Sequence, residues 1–254
     1  MFPKLFGIID SYAVMMVIGL VLSIVLFEVY FRTHFKEDKG KLYLLEVALL
    51  LSVASGLLGA YLFQNLYDFI LNPSQYHWEW SMTFFGGLLM GAIAFFLFYA
   101  LWLRKRYLSS LGKVLLIAPS CIALAHGFGR IGCFLEGCCY GVKTNAWYGL
   151  KFVTTTEKVV PTNLFEAIFL LALLIPLLLL AFKKQSQYGM PIYLLAYGVF
   201  RFTIEFWRDD PRGAFIPGIS PSQFWAILAI LIGIALFVYY LVKQRNDRYG
   251  RAVK

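Results

Sequence analysis

The sequence predicts an all-α integral membrane protein: a bundle of seven transmembrane helices with a small extracytoplasmic loop region. Three observations predict it. Hydrophobic residues make up 60% of the 254-residue chain and charged residues only 15%, where an ordinary soluble domain carries about 25% charged. The apolar residues gather into runs of about 20 or more, the length that crosses a bilayer. Several runs are apolar all round, and a chain of this size has no soluble core large enough to bury them.

In order, the runs are 12–31, 42–70, 82–103, 114–135, 162–182, 189–207 and 221–242. No small-residue cleavage site follows the first, Tyr12 to Phe31, so it is expected to stay as a helix rather than leave as a signal peptide. The second is long and is expected to tilt or surface early, because Gln64, Asn65 and Asp68 lie near its end. Gly56 and Gly59 in the second run, and Gly86, Gly87 and Gly91 in the third, allow close helix approach. Pro176 is expected to kink the fifth. No internal repeat or long linker divides the chain, so residues 1–254 read as a single transmembrane domain.

Of the 23 Lys and Arg, fifteen fall in 32–41, 104–113, 183–187 and 243–254, and six in the N-terminus, 72–81, 136–160 and 208–219. The richer set is expected to be cytoplasmic, which puts the N-terminus outside and the C-terminus inside. The net charge of +9 is thus spread in short clusters at membrane surfaces, which argues against a nucleic-acid partner. Loop 136–160 is the longest on the outer side. Its Trp147-Tyr148-Gly149 and Thr154-Thr155-Thr156 suggest a small β-like piece over the membrane.

Two arginines lie inside spans, Arg130 in the fourth and Arg201 in the sixth, the latter followed by Glu205 and Arg208. An ionisable group at the bilayer centre costs roughly 3 kcal/mol on insertion scales, so such residues usually line a cavity and have partners. At helical spacing Tyr197, Arg201, Glu205 and Arg208 share one face. Arginines facing one another across a bundle form an anion site, and guanidinium geometry suits phosphate. The plainer reading is an Arg201–Glu205 pair that knits helices, with Arg208 reaching to the interface.

Three glycines, Gly127, Gly129 and Gly132, flank Arg130 and leave backbone N–H groups open to an anion. His126 precedes Arg130 by four residues and Cys133 by seven, so the three share a helix face. That makes His126 either a base or a packing histidine. Cys133, Cys138 and Cys139 cluster at the outer end of the fourth span, with Cys121 alone inside it. A Cys133–Cys138 disulfide suits an oxidising face, a Cys138–Cys139 bridge would be strained, and a catalytic thiol is a third role. The spacing matches none of the usual zinc patterns, and no metal is expected.

These motifs carry a resemblance. Gly129-Arg130-Ile131-Gly132-Cys133-Phe134 through Gly141 is similar to the G-R-x-G-N-F signature of the prolipoprotein diacylglyceryl transferase family. Tyr197-Gly198 to Arg201, with Glu205-Phe206-Trp207-Arg208, resembles its Y-G-x-x-R-x-x-x-E-F-x-R motif. In the same order, Tyr12 matches a first-helix tyrosine, Ser81 to Leu88 the S-F-H-G-G-L segment, and Pro161 to Glu166 the P-S-Q-L-Y-E segment. Ser220 and Gln223 match the polar start of the last helix. The chain departs from the family at five positions. Phe85 stands where the family has histidine, Cys133 and Glu136 where it has asparagines, Cys138 where it has glutamate, and Leu57 where it has arginine.

The resemblance implies a divergent, cofactor-free transferase of the bacterial inner membrane that acts in lipoprotein biosynthesis. It would move the diacylglyceryl group of phosphatidylglycerol, or a similar anionic phospholipid, onto the lipobox cysteine of a prolipoprotein. Arg130 and Arg201 would then hold the phosphate, with Glu205 and Tyr197 orienting them and Arg208 at the outer rim. Tyr12, Gly86, Gly87 and Gly132 would complete the phospholipid site, and His126 would serve as the base that Phe85 cannot be. Two other readings stay open. One is a phospholipid-dependent paralogue with a different acceptor, or with Cys133 or Cys138 as a transient carrier. The other is a non-catalytic lipid-binding or thiol-redox membrane protein, which Phe85 favours and the paired arginines oppose.

Overall fold

The computed structural model describes residues 4–5, 9–34, 39–71, 73–74, 76–78, 83–103, 110–208 and 218–252. Ser81 and the loop segments 35–38, 104–109 and 209–217, which enter the motif and charge readings above, lie outside the described residues, as does the side chain of Phe85.

The chain opens on a feature that the hydropathy pattern does not announce. β1 (Lys4–Leu5) and β2 (Ile9–Asp10) pair antiparallel in a short hairpin. Asp10 then caps α1 (Ser11–His34), its Oδ1 accepting the backbone N–H groups of Tyr12 at 2.8 Å and Ala13 at 3.2 Å. These are two of the four N–H groups that a helix start leaves without partners.

Two compact units follow from the packing, residues 31–112 and residues 1–30 with 113–254. In the smaller unit α2 (Lys39–Leu71) runs antiparallel to α3 (Phe84–Phe98), which continues into a π-helical turn, Tyr99–Leu103. Small residues set the approach: a side chain at Gly56 or Gly87 would meet the other's carbonyl at about 3 Å. Ser52 Oγ donates to the Gly91 carbonyl at 2.6 Å across the same seam. The polar end of α2 is closed within the unit. Gln64 donates to Asp68 at 3.0 Å, Asn65 Nδ2 to the Tyr61 carbonyl at 3.0 Å, and the Tyr76 hydroxyl to Asn65 Oδ1 at 3.0 Å.

The larger unit adds α4 (Ser110–Glu136), α5 (Thr162–Leu178) with a π-helical turn at Leu179–Lys183, α6 (Gly189–Ile204) with a 3₁₀ turn at Glu205–Trp207, and α7 (Pro221–Ala252). Its core joins Ala123 of α4, Leu170, Leu173 and Leu177 of α5, and Tyr193 and Tyr197 of α6. On α1, Ser23 Oγ donates to the Cys121 carbonyl at 2.9 Å, so Cys121 sits in a helix-packing seam. Pro176 is accommodated within α5, one turn ahead of the widened π-helical segment. α7 runs past residue 242 to Ala252, through Lys, Gln and Arg residues of good helix propensity. Its start is a reciprocal cap: Gln223 N donates to Ser220 Oγ at 3.2 Å and Ser220 N to Gln223 Oε1 at 3.1 Å, with Pro221 at the first helical position.

Among the described residues, five segments are long and apolar enough to cross a membrane: Ser11–His34, Tyr43–Ile70, Leu111–Glu136, Thr162–Lys183 and Pro221–Asp247; Gly86–Trp102 is apolar but shorter. Their outward side chains are apolar, among them Val17, Val21 and Val25 on α1 and Leu231 and Val238 on α7, a surface that fits lipid. The chain is a multi-pass helical membrane protein. The sixth expected span is α-helical over only 16 residues before it tightens at Glu205.

The 136–160 loop carries single β-bridges of Lys143 and Leu150 to Val159, but neither Trp147-Tyr148-Gly149 nor Thr154-Thr155-Thr156 takes part in them: Trp147, Tyr148 and Thr154 lie in turns. Gly141 bridges to Arg208, and Val142 N donates to the Trp207 carbonyl at 2.8 Å, which ties the loop to the end of α6. A side chain at Gly141 would collide with that backbone carbonyl. Gly141→Ala is therefore expected to destabilise the protein by about 1–3 kcal/mol, as overpacking does, read as a lowered midpoint of thermal unfolding in detergent.

Candidate active site

Four helices of the larger unit each contribute to one buried ionic cluster. Its centre is Glu166, one turn into α5 and fully buried. Glu166 Oε1 lies 3.1 Å from Arg130 Nε of α4 and accepts the Tyr197 hydroxyl of α6 at 2.7 Å. Its Oε2 lies 3.7 Å from Arg201 Nη1. Arg201 also reaches Glu205 Oε2 at 2.8 Å, and its Nη2 donates to Ser222 Oγ of α7 at 2.7 Å. Glu205 accepts the Ser220 hydroxyl at 2.8 Å and stands 3.9 Å from Arg208 Nε. The cap that begins α7 thus places two serine hydroxyls on the cluster.

The helical-face argument for Tyr197, Arg201 and Glu205 holds although α6 tightens at Glu205, since a 3₁₀ turn changes the rise without turning Glu205 away. Neither Arg130 nor Arg201 is a spare charge; both are paired to Glu166. Arg208 does not extend to the interface, its side chain being 2% exposed. His126 lies at the edge of the cluster. Its Nε2 is 3.4 Å from the Tyr197 hydroxyl and 3.7 Å from Glu166 Oε1, and its Nδ1 is 3.5 Å from the Tyr193 hydroxyl.

Gly132 is placed by close approach: a Cβ there would sit 3.0 Å from the Tyr12 ring and 3.1 Å from Tyr12 Cα. Tyr12 and Gly132 are therefore brought together near the C-terminal end of α4. Gly86 and Gly87 belong to the smaller unit, where their neighbours are Phe63, Ala60 and Gly56 of α2.

The disulfide allowed by the sequence between Cys133 and Cys138 is not formed, nor is one between Cys138 and Cys139. The three sulfurs instead converge within 4.8 Å of one another. Mutual hydrogen bonding divides their acidity: contacts with Cys133 and Cys139 push the Cys138 thiol up. Contacts with Cys133 and Cys138, and then the charges of Arg130 and Arg208, pull the Cys139 thiol down.

Glu166, Asn163 and Ser222 are the members of this region not singled out in the sequence. Glu166 carries the same signal that exposes Arg130 and Arg201, a charge inside an apolar run, and is the single acidic residue of Thr162–Leu178. Asn163 and Ser222 carry no such signal, because short polar residues at helix starts are ordinary caps.

Apolar helices closed around a buried set of guanidinium and carboxylate groups define a polytopic membrane protein with an internal ionic site. The chain belongs to the prolipoprotein diacylglyceryl transferase family, whose profile matches residues 4–239. It is 33% identical over 257 residues to phosphatidylglycerol–prolipoprotein diacylglyceryl transferase 2 of Clostridium perfringens, covering 96% of each chain. It is 32% identical to the phosphatidylglycerol–prolipoprotein diacylglyceryl transferase of Clostridium tetani, over 92% of this chain and 94% of that one. The similarly named protein of Francisella tularensis subsp. mediasiatica is 32% identical over 77% of this chain and 74% of its own.

Removing one partner of a buried ion pair leaves an uncompensated charge. Glu166→Ala is expected to lower stability by about 3–5 kcal/mol. Tyr197→Phe, which deletes one hydrogen bond to a charged group, should lower it by about 1.5–3 kcal/mol. Unfolding of the two variants side by side in the same detergent tests the ranking. A Glu166→Ala protein as stable as Tyr197→Phe would mean that Glu166 does not hold the cluster together.

Proposed function

We propose that the chain transfers the diacylglyceryl group of phosphatidylglycerol to a cysteine thiol of a prolipoprotein, at the bacterial inner membrane. In this reading it crosses the bilayer seven times, N-terminus outside and C-terminus inside, with α3 and α6 as the two crossings shorter than the rest. Family membership supports the reaction. The observation that carries it to particular residues is Arg201, which is 1% exposed and whose Nη1 meets Glu166 Oε2 only at ion-pair distance, 3.7 Å, with no hydrogen-bond acceptor among the described residues. A buried cationic donor left in that state is a place for an anion.

Charge supports the same assignment. Three guanidinium groups, Arg130, Arg201 and Arg208, share two carboxylates, Glu166 and Glu205. These five groups alone carry one formal positive charge, and a phosphodiester carries one negative charge. During transfer the acceptor sulfur forms a bond to the glycerol carbon, the carbon–oxygen bond to the phosphate breaks, and glycerol phosphate leaves with the electron pair. The phosphate then gains charge, and guanidiniums already held by Glu166 and Glu205 stabilise it without reorganising.

Tyr197, Glu166 and Glu205 act as positioning residues for the two arginines. We assign His126 to the same role, because both of its ring nitrogens are turned to protein groups. Tyr12, Gly132 and Arg208 line the site on its outer side.

The test is transfer from labelled phosphatidylglycerol to a lipobox peptide by the purified protein in lipid nanodiscs. Arg130→Ala and Arg201→Ala are each expected to reduce transfer by about 10²–10³-fold, the loss typical of one transition-state donor. Lysine at either position should restore little, since it lacks the planar fork. Folded variants that keep full activity would sink the phosphate assignment. Bound lipid with no transfer by the unsubstituted protein would point to a different acceptor.

A further inference from the structure

The three thiols at the outer end of α4 form a built site. The sulfurs of Cys133, Cys138 and Cys139 all lie within 4.8 Å of one another. Local spacing alone does not produce this, because adjacent side chains in extended backbone point to opposite faces. Cys138 and Cys139 face one point because Cys139 takes a left-handed conformation, φ +59°, two residues after Gly137 at φ +80°.

That conformation is uncommon for a non-glycine residue and persists where its surroundings hold it. Here they do. Asn163 Nδ2 donates to the carbonyls of Cys138 at 2.7 Å and Cys133 at 3.4 Å. Thr162 Oγ1 donates to the carbonyl of Cys139 at 3.0 Å, and Thr154 Oγ1 to that of Gly137 at 2.6 Å. Every residue bearing one of the three sulfurs is thus fixed through its backbone, and none of these bonds occupies a sulfur.

We propose that Cys133, Cys138 and Cys139 bind one soft divalent cation of the zinc class, whose fourth position takes the thiol of the acceptor protein. The acceptor part rests on the transferase reading above. Zinc–sulfur bonds of about 2.3 Å place tetrahedral sulfurs about 3.8 Å apart, so the cluster needs only a small contraction to close on an ion. Sulfur donors select soft cations over magnesium or calcium. Glu136 approaches Cys138 at 3.8 Å and is not a member of the converging set. Three protein ligands with one open position is the arrangement of catalytic rather than structural zinc. A sulfur acceptor would complete the tetrahedron with the same donor type.

The placement suits the reaction. Cys133 follows Arg130 by three residues on α4, about 4.5 Å along the helix axis. Metal and phosphate would therefore occupy neighbouring turns. On coordination the acceptor's S–H bond breaks and its proton passes to water, because a metal-bound thiol is deprotonated at neutral pH. A lone pair on that sulfur then forms the bond to the glycerol carbon, and the carbon–oxygen electron pair leaves on the phosphate beside Arg130 and Arg201. Nothing is oxidised or reduced, and the ion stays on its three cysteines. The site thereby supplies the thiolate that His126, enclosed by Tyr193, Tyr197 and Glu166, is badly placed to generate.

The experiment uses the full-length protein in nanodiscs, reduced without added thiol, stripped with a chelator and reloaded with zinc or cadmium. One ion per chain by elemental analysis is expected, with a cadmium–thiolate absorption band. Both should be lost in Cys138→Ser/Cys139→Ser and kept in Arg130→Ala, with helical circular dichroism unchanged in each. No retained ion, an ion retained by the double cysteine variant, or a disulfide among these cysteines in the purified protein would overturn the site. Stripping should lower transfer to the lipobox peptide at least tenfold, and zinc should restore it. Full transfer by the stripped protein overturns the acceptor role while leaving the transferase reading intact. No transfer by the zinc-loaded protein, with the ion bound and lipid present, removes that reading and the acceptor role with it.

Discussion

A carboxylate buried among apolar helices is the constraint on which the larger unit depends. Glu166 is fully buried on α5, and such a charge is tolerated only where cations and donors meet it. Arg130, Arg201 and Tyr197 meet it from α4 and α6. Arg201 then reaches Ser222 and Glu205, and Glu205 reaches Ser220, so the start of α7 is tied to the same group at one remove. The apolar core of Ala123, Leu170, Leu173 and Tyr193 packs the same helices without specifying their register as closely, because dispersion between apolar side chains is not directional.

Much of this was legible in the sequence for one reason: charge inside an apolar run is costly, so it marks function wherever it appears. Arg130, Arg201 and Glu205 stand out on that ground, and the face that Arg201 shares with Glu205 follows from helical spacing. Glu166 carries the identical signal and ends the Pro161–Glu166 segment that resembles the family motif, but its central place in the cluster depends on contacts across helices that a single sequence does not show. The convergence of the three cysteines was not legible. It depends on a left-handed backbone at Cys139 and on side-chain bonds from Asn163, Thr162 and Thr154, none of which leaves a periodic trace. The hairpin before α1 escaped for a similar reason, since two-residue strands are too short for alternation to show.

The 136–160 loop has a structural meaning beyond connecting two helices. Gly141 and Val142 pair with the backbone at Trp207 and Arg208, the segment that directly follows Glu205. The same loop carries Cys138 and Cys139 just past Cys133 on α4 and leads to Pro161, immediately before Thr162 and Asn163, which brace the backbone of Cys139 and Cys138 from α5. Ionic cluster and thiol cluster are therefore not independent decorations. They share α4 through Arg130 and Cys133, α5 through Glu166 and Asn163, and the end of α6 through Glu205 and Arg208.

That sharing bears on why the charges are present at all. A buried ion pair is often no more stabilising than a well-packed apolar replacement of the same volume, so a bundle held together for its own sake would gain little from Glu166, Arg130 and Arg201. The arrangement also stops short of full internal satisfaction: Arg201 Nη1 and Glu166 Oε2 face each other at 3.7 Å, an ion-pair distance too long for a hydrogen bond, and neither has a hydrogen-bond partner among the described residues. Stability alone would favour closing both. A catalyst has the opposite need: donors fixed in place before the reaction, with capacity held for charge that develops only during it. Incomplete satisfaction at the centre of an otherwise over-determined cluster is what that need looks like in a membrane, where no bulk water stands by to make up the difference.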